Sequence, residues 1–349
     1  MRAASSKPVK LNTCKPAMPT IKQVARESGF SPTTVSIVLR GKADERHISQ
    51  ATKDKVLDAA HRLGYRVNIA ARRLRSSQSV GLAVSVFMAL DRRSHMMMRF
   101  LLGLQSAAAE SGQPIEIIIH SYKSGSLHKH REAINLNTCV IICNASSGDL
   151  RFLESTQFSI PIVLFFRDSG KYSTVNINAG RVGHMAGEIF ARRGHKHAVV
   201  LAAPSYYVGQ DQSRDQFVKT AKSHGMTATV INDSHDAAGG HRGGLTIGKM
   251  IPRPDCVFSG SSIMSLGAIR ALEEQGVKIP QDMELISVGS ESPELDEYAS
   301  VPLSTIDIPI ELMAKECIGL LLLQLAGRLD EPRAVTVPLA YQARESCGE

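Results

Sequence analysis

The stretch Thr20-Ile21-Lys22-Gln23-Val24-Ala25-Arg26-Glu27-Ser28-Gly29-Phe30-Ser31-Pro32-Thr33-Thr34-Val35-Ser36 decides how the rest of this 349-residue chain is read. Thr20 and Gln23 stand three apart, the capping-box spacing in which a hydroxyl and a side-chain amide satisfy each other's backbone N–H. Gly29 ends that first short helix. Ser31-Pro32 opens a second, with an N-cap residue followed by proline where the missing N–H costs nothing. Ser49 caps a third helix that runs to Gly64, a natural left-handed stop. Val24 and Ala25 face inward from the first helix. Val35, Val38 and Leu39 do so from the second, and Val56, Leu57, Ala60 and Leu63 from the third. Two short helices joined by the tight turn Gly29-Phe30-Ser31 have helix-turn-helix spacing, whose second helix enters the major groove of DNA. Its solvent side carries Pro32, Thr33, Ser36, Ile37 and Arg40. On helix spacing alone, the lesser alternative is a generic three-helix bundle with a solvated polar face.

Charge separates the two readings. Residues 1–79 hold 16 Lys/Arg against 5 Asp/Glu, a net of +11, whereas residues 80–349 carry a net of −3. A basic head on a nearly neutral body points to a polyanion-binding module attached to a larger domain. The chain is 43% apolar and has no tryptophan, enough to bury a core over about two domains. Its six cysteines form no C-x-x-C pair and read as small buried hydrophobes in a reducing cytoplasm. The first 17 residues are polar, basic and aperiodic, a disordered tail without the apolar core of a signal peptide, and Met18 is an alternative start. The apolar stretch around Ile318 to Leu325 is too short to span a bilayer, so no membrane partner is expected.

The quoted stretch resembles the N-terminal headpiece of the LacI/GalR family of bacterial transcriptional regulators. Ile48-Ser49 to Leu63-Gly64-Tyr65-Arg66 resembles that family's third helix, and Asn68-Ile69-Ala70-Ala71-Arg72-Arg73-Leu74 its hinge helix. The resemblance implies roles for particular residues. Leu74, with Ala71 beside it, falls where a leucine wedges into the minor groove and kinks the operator. Ser31, Thr34 and Ser36 would serve phosphates; Pro32, Thr33 and Ile37 would face bases. Thr20, Arg40, Asn68 and Arg72 complete the DNA-contacting set. Two positions depart from the family pattern. Ile37 replaces a common polar reader, so it either meets an apolar feature such as a thymine methyl or packs within the headpiece. Val67 replaces a common proline at the start of the hinge.

From Val80 onward, short apolar runs (Val80 to Phe87, Ile115 to Ile119, Cys139 to Cys143, Ile162 to Phe166, Ala198 to Ala202, Ala228 to Ile231, Cys256 to Ser259, Leu285 to Val288) alternate with amphipathic stretches. That alternation predicts parallel sheets covered by helices, with ligand outside the carboxyl ends of the strands. Asn176-Ile177-Asn178-Ala179-Gly180, Arg193-Gly194-His195-Lys196-His197, Pro302-Leu303-Ser304-Thr305-Ile306 and Arg344-Glu345-Ser346 are similar to family strings, so the resemblance covers about residues 18–347. The expected architecture is an all-α helix-turn-helix headpiece (18–66), a hinge helix and linker (67–79), and an α/β bilobal periplasmic-binding-protein-like effector domain (80–349). Three crossovers, near Gly194, Asp307 and Ala334, assign about 80–193 and 307–333 to the N-lobe. They assign about 194–306 and 334–349 to the C-lobe.

By position in the family, effector contacts fall on Ser94, Asn176, Ser213, Arg214, Ser261, Ser262 and Glu291. Most lack the carboxylate, amide or arginine that clamps sugar hydroxyls. A simple hexose is therefore disfavoured; another small molecule, a protein co-regulator or no ligand stays open. Other chemistry is thin. His128-x-His130 and His195-x-His197 have ligand-like spacing without matching partners, so no metal or other cofactor is expected. Gly239-Gly240-His241-Arg242-Gly243-Gly244 lacks the end of a phosphate loop and reads as a flexible loop. No catalytic motif is visible. The expectation is a DNA-binding repressor, a homodimer or a tetramer, of a near-palindromic double-stranded operator, responsive to a small-molecule effector; alternatives are a small-molecule binding protein or an α/β enzyme with a basic accessory domain.

Overall fold

The computed structural model describes residues 21–39, 43, 46, 48–63, 81–89, 94–203, 208–289 and 291–348. The chain divides into two compact units, residues 1–77 and 78–349.

In the first unit, α1 (Ile21–Ser28), α2 (Pro32–Leu39) and α3 (Gln50–Arg62) enclose one small core. Local chemistry sets the ends. Gly29 takes φ +75°, a left-handed conformation that lets its N–H close on the Ala25 carbonyl at 3.1 Å. The Ser31 hydroxyl accepts from the Thr34 N–H at 3.1 Å, and Ser49 does the same for Thr52 at 3.3 Å. Val24, Ala25, Val35, Val38, Val56, Ala59 and Ala60 are buried, with Leu39 and Leu63 packed at the margin. Leu57 departs from expectation: it is 50% exposed, and Ala59 takes the inward position. Val56, Ala59, Ala60 and Leu63 follow the i, i+3, i+4, i+7 stripe of a helix face, from which Leu57 is rotated away. Thr20, Arg40 and the segment from Gly64 through the hinge to Leu74 lie outside the described residues.

The second unit contains two six-stranded sheets among its described residues. Its elements, in order, are β1 (Leu82–Ala89), α4 (Ser94–Glu110), β2 (Ile115–Tyr122), α5 (Arg131–Leu136), β3 (Cys139–Cys143), α6 (Ser147–Ser155), β4 (Ile162–Phe165), β5 (Ser173–Ile177), α7 (Ala179–Arg192), β6 (His197–Ala202), α8 (Val208–Ser223), β7 (Thr227–Asn232), α9 (Ala237–Ile247), β8 (Cys256–Ser259), α10 (Ser262–Glu274), β9 (Glu284–Gly289), α11 (Pro293–Glu297), β10 (Ser304–Asp307), α12 (Ile310–Leu325), β11 (Ala334–Val337) and β12 (Ala340–Gln342). The first sheet runs β11-β5-β4-β3-β1-β2 and the second β12-β10-β9-β8-β6-β7. All pairings are parallel except β10 with β12. Central strands such as Cys139-Val-Ile-Ile-Cys are buried at every residue, which is why they read as unbroken apolar runs.

The chain passes between the lobes three times, but not all where the family strings suggested. The passage expected at Gly194 lies at Asn178, because α7 packs on α8 of the second lobe, with Gly183 seated against the Ser213 carbonyl. The second passage falls at Ile308–Pro309, between β10 and α12. The third lies between Val337 and Ala340, not at Ala334, because β11 pairs with β5 in register Ala334↔Thr174 and only β12 joins the second sheet.

The glycine-rich stretch expected as a flexible loop is helical. It forms α9, capped by Asp236, and its Gly239, Gly240, Gly243 and Gly244 are buried. The α9 and α10 backbones approach so closely that a methyl at Gly240 or Gly267 meets main-chain carbonyls of the facing helix. Glycine is there for its missing side chain.

Candidate functional site

Two sites matter, one in each unit. In the headpiece, α2 presents Pro32 and Thr33 exposed, with Thr34, Ser36 and Ile37 half-buried beside them. The Ser31 and Thr34 hydroxyls lie 2.9 Å apart, so helix capping already fixes their orientation. Lys22 and Arg26 are exposed on α1. Ile37 stands outside the set packed on the headpiece core, which favours its reading as a surface contact. Thr20, Arg40, Asn68, Ala71, Arg72 and Leu74 lie outside the described residues.

In the second unit, a cavity of about 460 Å³ opens at the carboxyl ends of β4, β6, β8 and β9, between the two sheets. This is where the strand-order rule places a ligand, and the volume suits a small molecule. One wall, from the first lobe, carries Ser146, Ser147, Phe166, Arg167, Asp168 and Asn176. The other, from the second lobe, carries Val200, Ala202, Ala203, Phe258 and Val288, with Gln210, Gln212, Ser213 and Arg214 of α8 at its edge.

Local folding positions these groups. Phe166 takes φ +58°, which turns the chain sharply after β4 and sends Arg167 and Asp168 to the cavity. Asn176, on β5, donates to the Arg167 carbonyl at 3.1 Å and to Asp168 Oδ1 at 2.7 Å. The Arg167 guanidinium donates to the carbonyls of Ala145 and Phe166. Arg214 is held between Asp211 and Asp215, at 2.7 and 2.8 Å, and hydrogen bonding to Asp215 raises its pKa. The Ser213 hydroxyl is buried at the wall without a hydrogen-bond partner.

The effector positions carried from the family divide. Asn176, Ser213 and Arg214 line the cavity. Ser94 begins α4, and its side chain is outside the described set. Ser261, Ser262 and Glu291 are buried away from the cavity: Ser261 caps α10 by accepting from Met264 N–H, Ser262 donates to the Val288 carbonyl, and Glu291 accepts the Ser262 N–H at 3.1 Å. These three are consumed by closing the α10 N-terminus. The residues that position-matching missed are Ser146, Ser147, Arg167, Asp168, Gln210 and Gln212. The signal that could have found the middle pair is their place just past the carboxyl end of a predicted strand.

A second polar cluster closes the far side of the second lobe. Glu284 accepts a bidentate fork from Arg193, at 2.7 and 2.6 Å, and the His195 ring at 2.7 Å. Burial pushes the Glu284 carboxyl up, but hydrogen bonds from Arg193 and His195 outweigh it and hold the pKa below the ordinary range. His195, Asp255 and Cys256 bring potential ligand atoms within 4.8 Å of one another. Asp255 already accepts the Lys196 and His197 N–H groups, so it serves as a backbone clamp. The five described cysteines are buried and form no disulfide with one another. Among the described residues, no helix is long and apolar enough to cross a membrane.

Comparison with known proteins bears on both sites. Residues 20–68 match the family described as "Bacterial regulatory proteins, lacI family", and residues 187–347 match "Periplasmic binding protein-like domain". The chain carries a LacI-family helix-turn-helix domain followed by a periplasmic-binding-protein-like domain. The chain is 28% identical over 295 residues to the HTH-type transcriptional regulator AglR of Rhizobium meliloti, covering 82% of each. It is 26% identical over 329 residues to the HTH-type transcriptional repressor PurR of Vibrio atlanticus, covering 90% of this chain and 95% of the relative. A LacI family transcription regulator from Clostridium acetobutylicum superimposes with TM-score 0.73 at 28% identity, over 75% of this chain and 99% of that one. The lac repressor dimer bound to operator shares the fold, with TM-score 0.67 at 20% identity over 94% and 99%. The expected bilobal architecture and the regulatory function through DNA binding follow. These relatives are regulators, not enzymes.

Proposed function

We propose that this chain is a LacI-family regulator, a homodimeric repressor that binds a near-palindromic operator and is switched by a small molecule in the 460 Å³ cavity. The observation that carries the reading is a ligand-sized cavity at the switch point between two parallel sheets, in a chain whose headpiece exposes Pro32 and Thr33 on a capped recognition helix. The headpiece set Ser31, Pro32, Thr33, Thr34, Ser36 and Ile37 contacts DNA. Thr20, Arg40, Asn68, Ala71, Arg72 and the Leu74 wedge complete it, and the operator's central step is a flexible pyrimidine–purine step. Effector binding changes lobe closure and thereby the order of the hinge, 68–74. The protein acts by binding and not by catalysis.

Self-association is supported by the outer face of the first lobe. Met98 is 58% exposed, Leu102 56% and Ile119 52%, around a shallow groove between α4 and the β2 edge. Selection of bound sequences from random DNA, followed by a metabolite screen for release, tests the reading. The expected result is a palindromic site bound with a steep salt slope and released or tightened by a compound. Binding without sequence preference refutes it.

A further inference from the structure

The amino ends of the second sheet, at the opposite end of its strands from the cavity, gather ligand chemistry that spacing along the chain did not supply. His195 stands just before β6, and Asp255 and Cys256 open β8. The two strands pair in register Ala198↔Cys256, which sets His195 beside both residues. His195 Nδ1 lies 3.6 Å from Asp255 Oδ1. That is too long for a good hydrogen bond, but near the spacing of about 3.3 Å between two light-atom ligands on one tetrahedral ion. Cys256 joins them, each residue bringing a ligand atom within 4.8 Å of the others. A thiolate and an imidazole nitrogen on a shared zinc lie about 3.6 Å apart, so the trio closes with shifts of about 1 Å. The ring is already oriented as a ligand. Its Nε2 donates to Glu284 Oε2 at 2.7 Å, which leaves Nδ1 as the lone pair of the neutral ring. A carboxylate behind a ligating histidine is the usual support of a metal site, and the Arg193 fork holds Glu284 in turn. Asp255 spends one lone pair of each oxygen on the Lys196 and His197 N–H groups, and a carboxylate has about four such sites, so it clamps the backbone and still ligates. His197 points elsewhere, its Nδ1 meeting Thr227 Oγ1 at 3.1 Å.

We infer that His195, Asp255 and Cys256 form a site for a borderline divalent metal ion, zinc above all, separate from the effector cavity. Nitrogen, oxygen and sulfur together suit zinc, whereas calcium and magnesium take oxygen. Three protein ligands leave the fourth position to water. The side chains of His195 and Asp255 are 15% and 35% exposed, which gives the ion a way in. Burial, and after it the adjacent Asp255 carboxylate, pushes the Cys256 thiol well above its ordinary range, so the thiol keeps its proton until the ion displaces it. A sulfur–metal bond then replaces the S–H bond, and one proton leaves to solvent for each ion bound.

Cobalt(II) is the probe, because its thiolate bond absorbs in the near ultraviolet and its tetrahedral d–d bands lie in the visible. Titrated into the full chain after chelation, it should give both signals, and zinc should displace it. Cys256→Ser should remove the thiolate absorption, and His195→Gln should lose the tetrahedral bands. Glu284→Gln, which weakens only the support behind His195, should cost about tenfold in affinity. His197→Gln and Cys14→Ser should leave the spectrum unchanged. Zinc at about one hundred times its Kd should raise the melting temperature of the parent chain by about 5 °C or more, and that of Cys256→Ser not at all. Unchanged far-UV circular dichroism shows that each variant is folded. X-ray absorption of the zinc-loaded parent needs no variant, and should show sulfur at about 2.3 Å beside nitrogen or oxygen at about 2.0 Å. Absence of cobalt binding, a zinc shell without sulfur, or a thiolate band that survives Cys256→Ser overturns the site. So do tetrahedral bands that His197→Gln abolishes and His195→Gln leaves.

Discussion

One methyl group added at two helical glycines should move stability in opposite directions. Gly267 lies on α10 where a Cβ would fall on the α9 backbone, 2.6 Å from the His241 nitrogen and 2.8 Å from the Ala237 carbonyl carbon, and closer still to the Ala237 oxygen. Ordinary contact begins near 3.4 Å, so clearing the Ala237 oxygen needs α9 to retreat by about 1.5 Å. Neither side can yield by turning a side chain, because the obstacle is main chain. Overpacking of this kind costs up to about 3 kcal/mol, against about 1 kcal/mol recovered from the better helix propensity of alanine. The net expectation for Gly267→Ala is a loss of about 2 kcal/mol, or about 5 °C in melting temperature for a domain of this size. Gly319 sits inside α12 with nothing within 4 Å of a built Cβ. Gly319→Ala keeps only the propensity gain and should raise the melting temperature by about 2–3 °C. Thermal melts of both variants followed by circular dichroism decide it. A Gly267→Ala protein as stable as the parent would mean that the glycines do not set the α9–α10 distance.

Asp296 is buried with Oδ1 unpartnered, and burial, only partly offset by Ser262 and Arg344, pushes its carboxyl up to about 6. A folded-state pKa raised above the unfolded value of about 3.9 means the penalty is absent at pH 4, grows between about 4 and 6, and is constant above that. Asp296→Asn should therefore stabilise by up to about 3 kcal/mol at pH 7.5 and not at pH 4; equal effects at both would refute the burial cost. Glu284→Gln strips the counter-charge from the Arg193 fork and should destabilise by about 1–3 kcal/mol, moderated because Arg193 is 36% exposed; urea titration measures it. Ile37→Arg should change base preference at one operator position in a selection experiment, and an unchanged preference makes Ile37 structural. Leu74→Ala should cost strongly in operator affinity and little in non-specific binding, measured by titration on both DNAs; equal loss in the two counts against the wedge.

What could be read in the chain beforehand was local. Ser31-Pro32 and Ser49 announce helix starts because a cap is chemistry between residues three apart, and Gly29 announces a stop because only a residue tolerant of positive φ ends a helix that way. Buried parallel strands such as β3 declare themselves because both faces must be apolar. What depended on distant partners was not legible. Nothing near Ala179 says that α7 will dock on α8 and not on the sheet before it. The glycines of α9 look like a loop until the facing α10 backbone explains them. The candidate cavity divides in the same way. Asn176, Ser213 and Arg214 line it, whereas Ser261, Ser262 and Glu291 were assigned by position and turn out to secure a helix end. Arg167 and Asp168 stand just past the carboxyl end of a strand legible in the sequence, and the turn at Phe166 sends them to the cavity.

The late arrival of β11 has a consequence for how the protein is made. The sheet of the first lobe closes with a strand that pairs with β5, and Arg333 N–H meets the Ser173 hydroxyl across 160 positions of chain. On the ribosome, every strand of the second sheet except β12 has emerged before that last strand of the first is available. The nascent first lobe must wait with the β5 edge open, and an open edge is a surface on which chains join one another. A truncation anywhere before Val337 therefore leaves both lobes unfinished, and neither lobe can be cut out of this gene as one continuous piece.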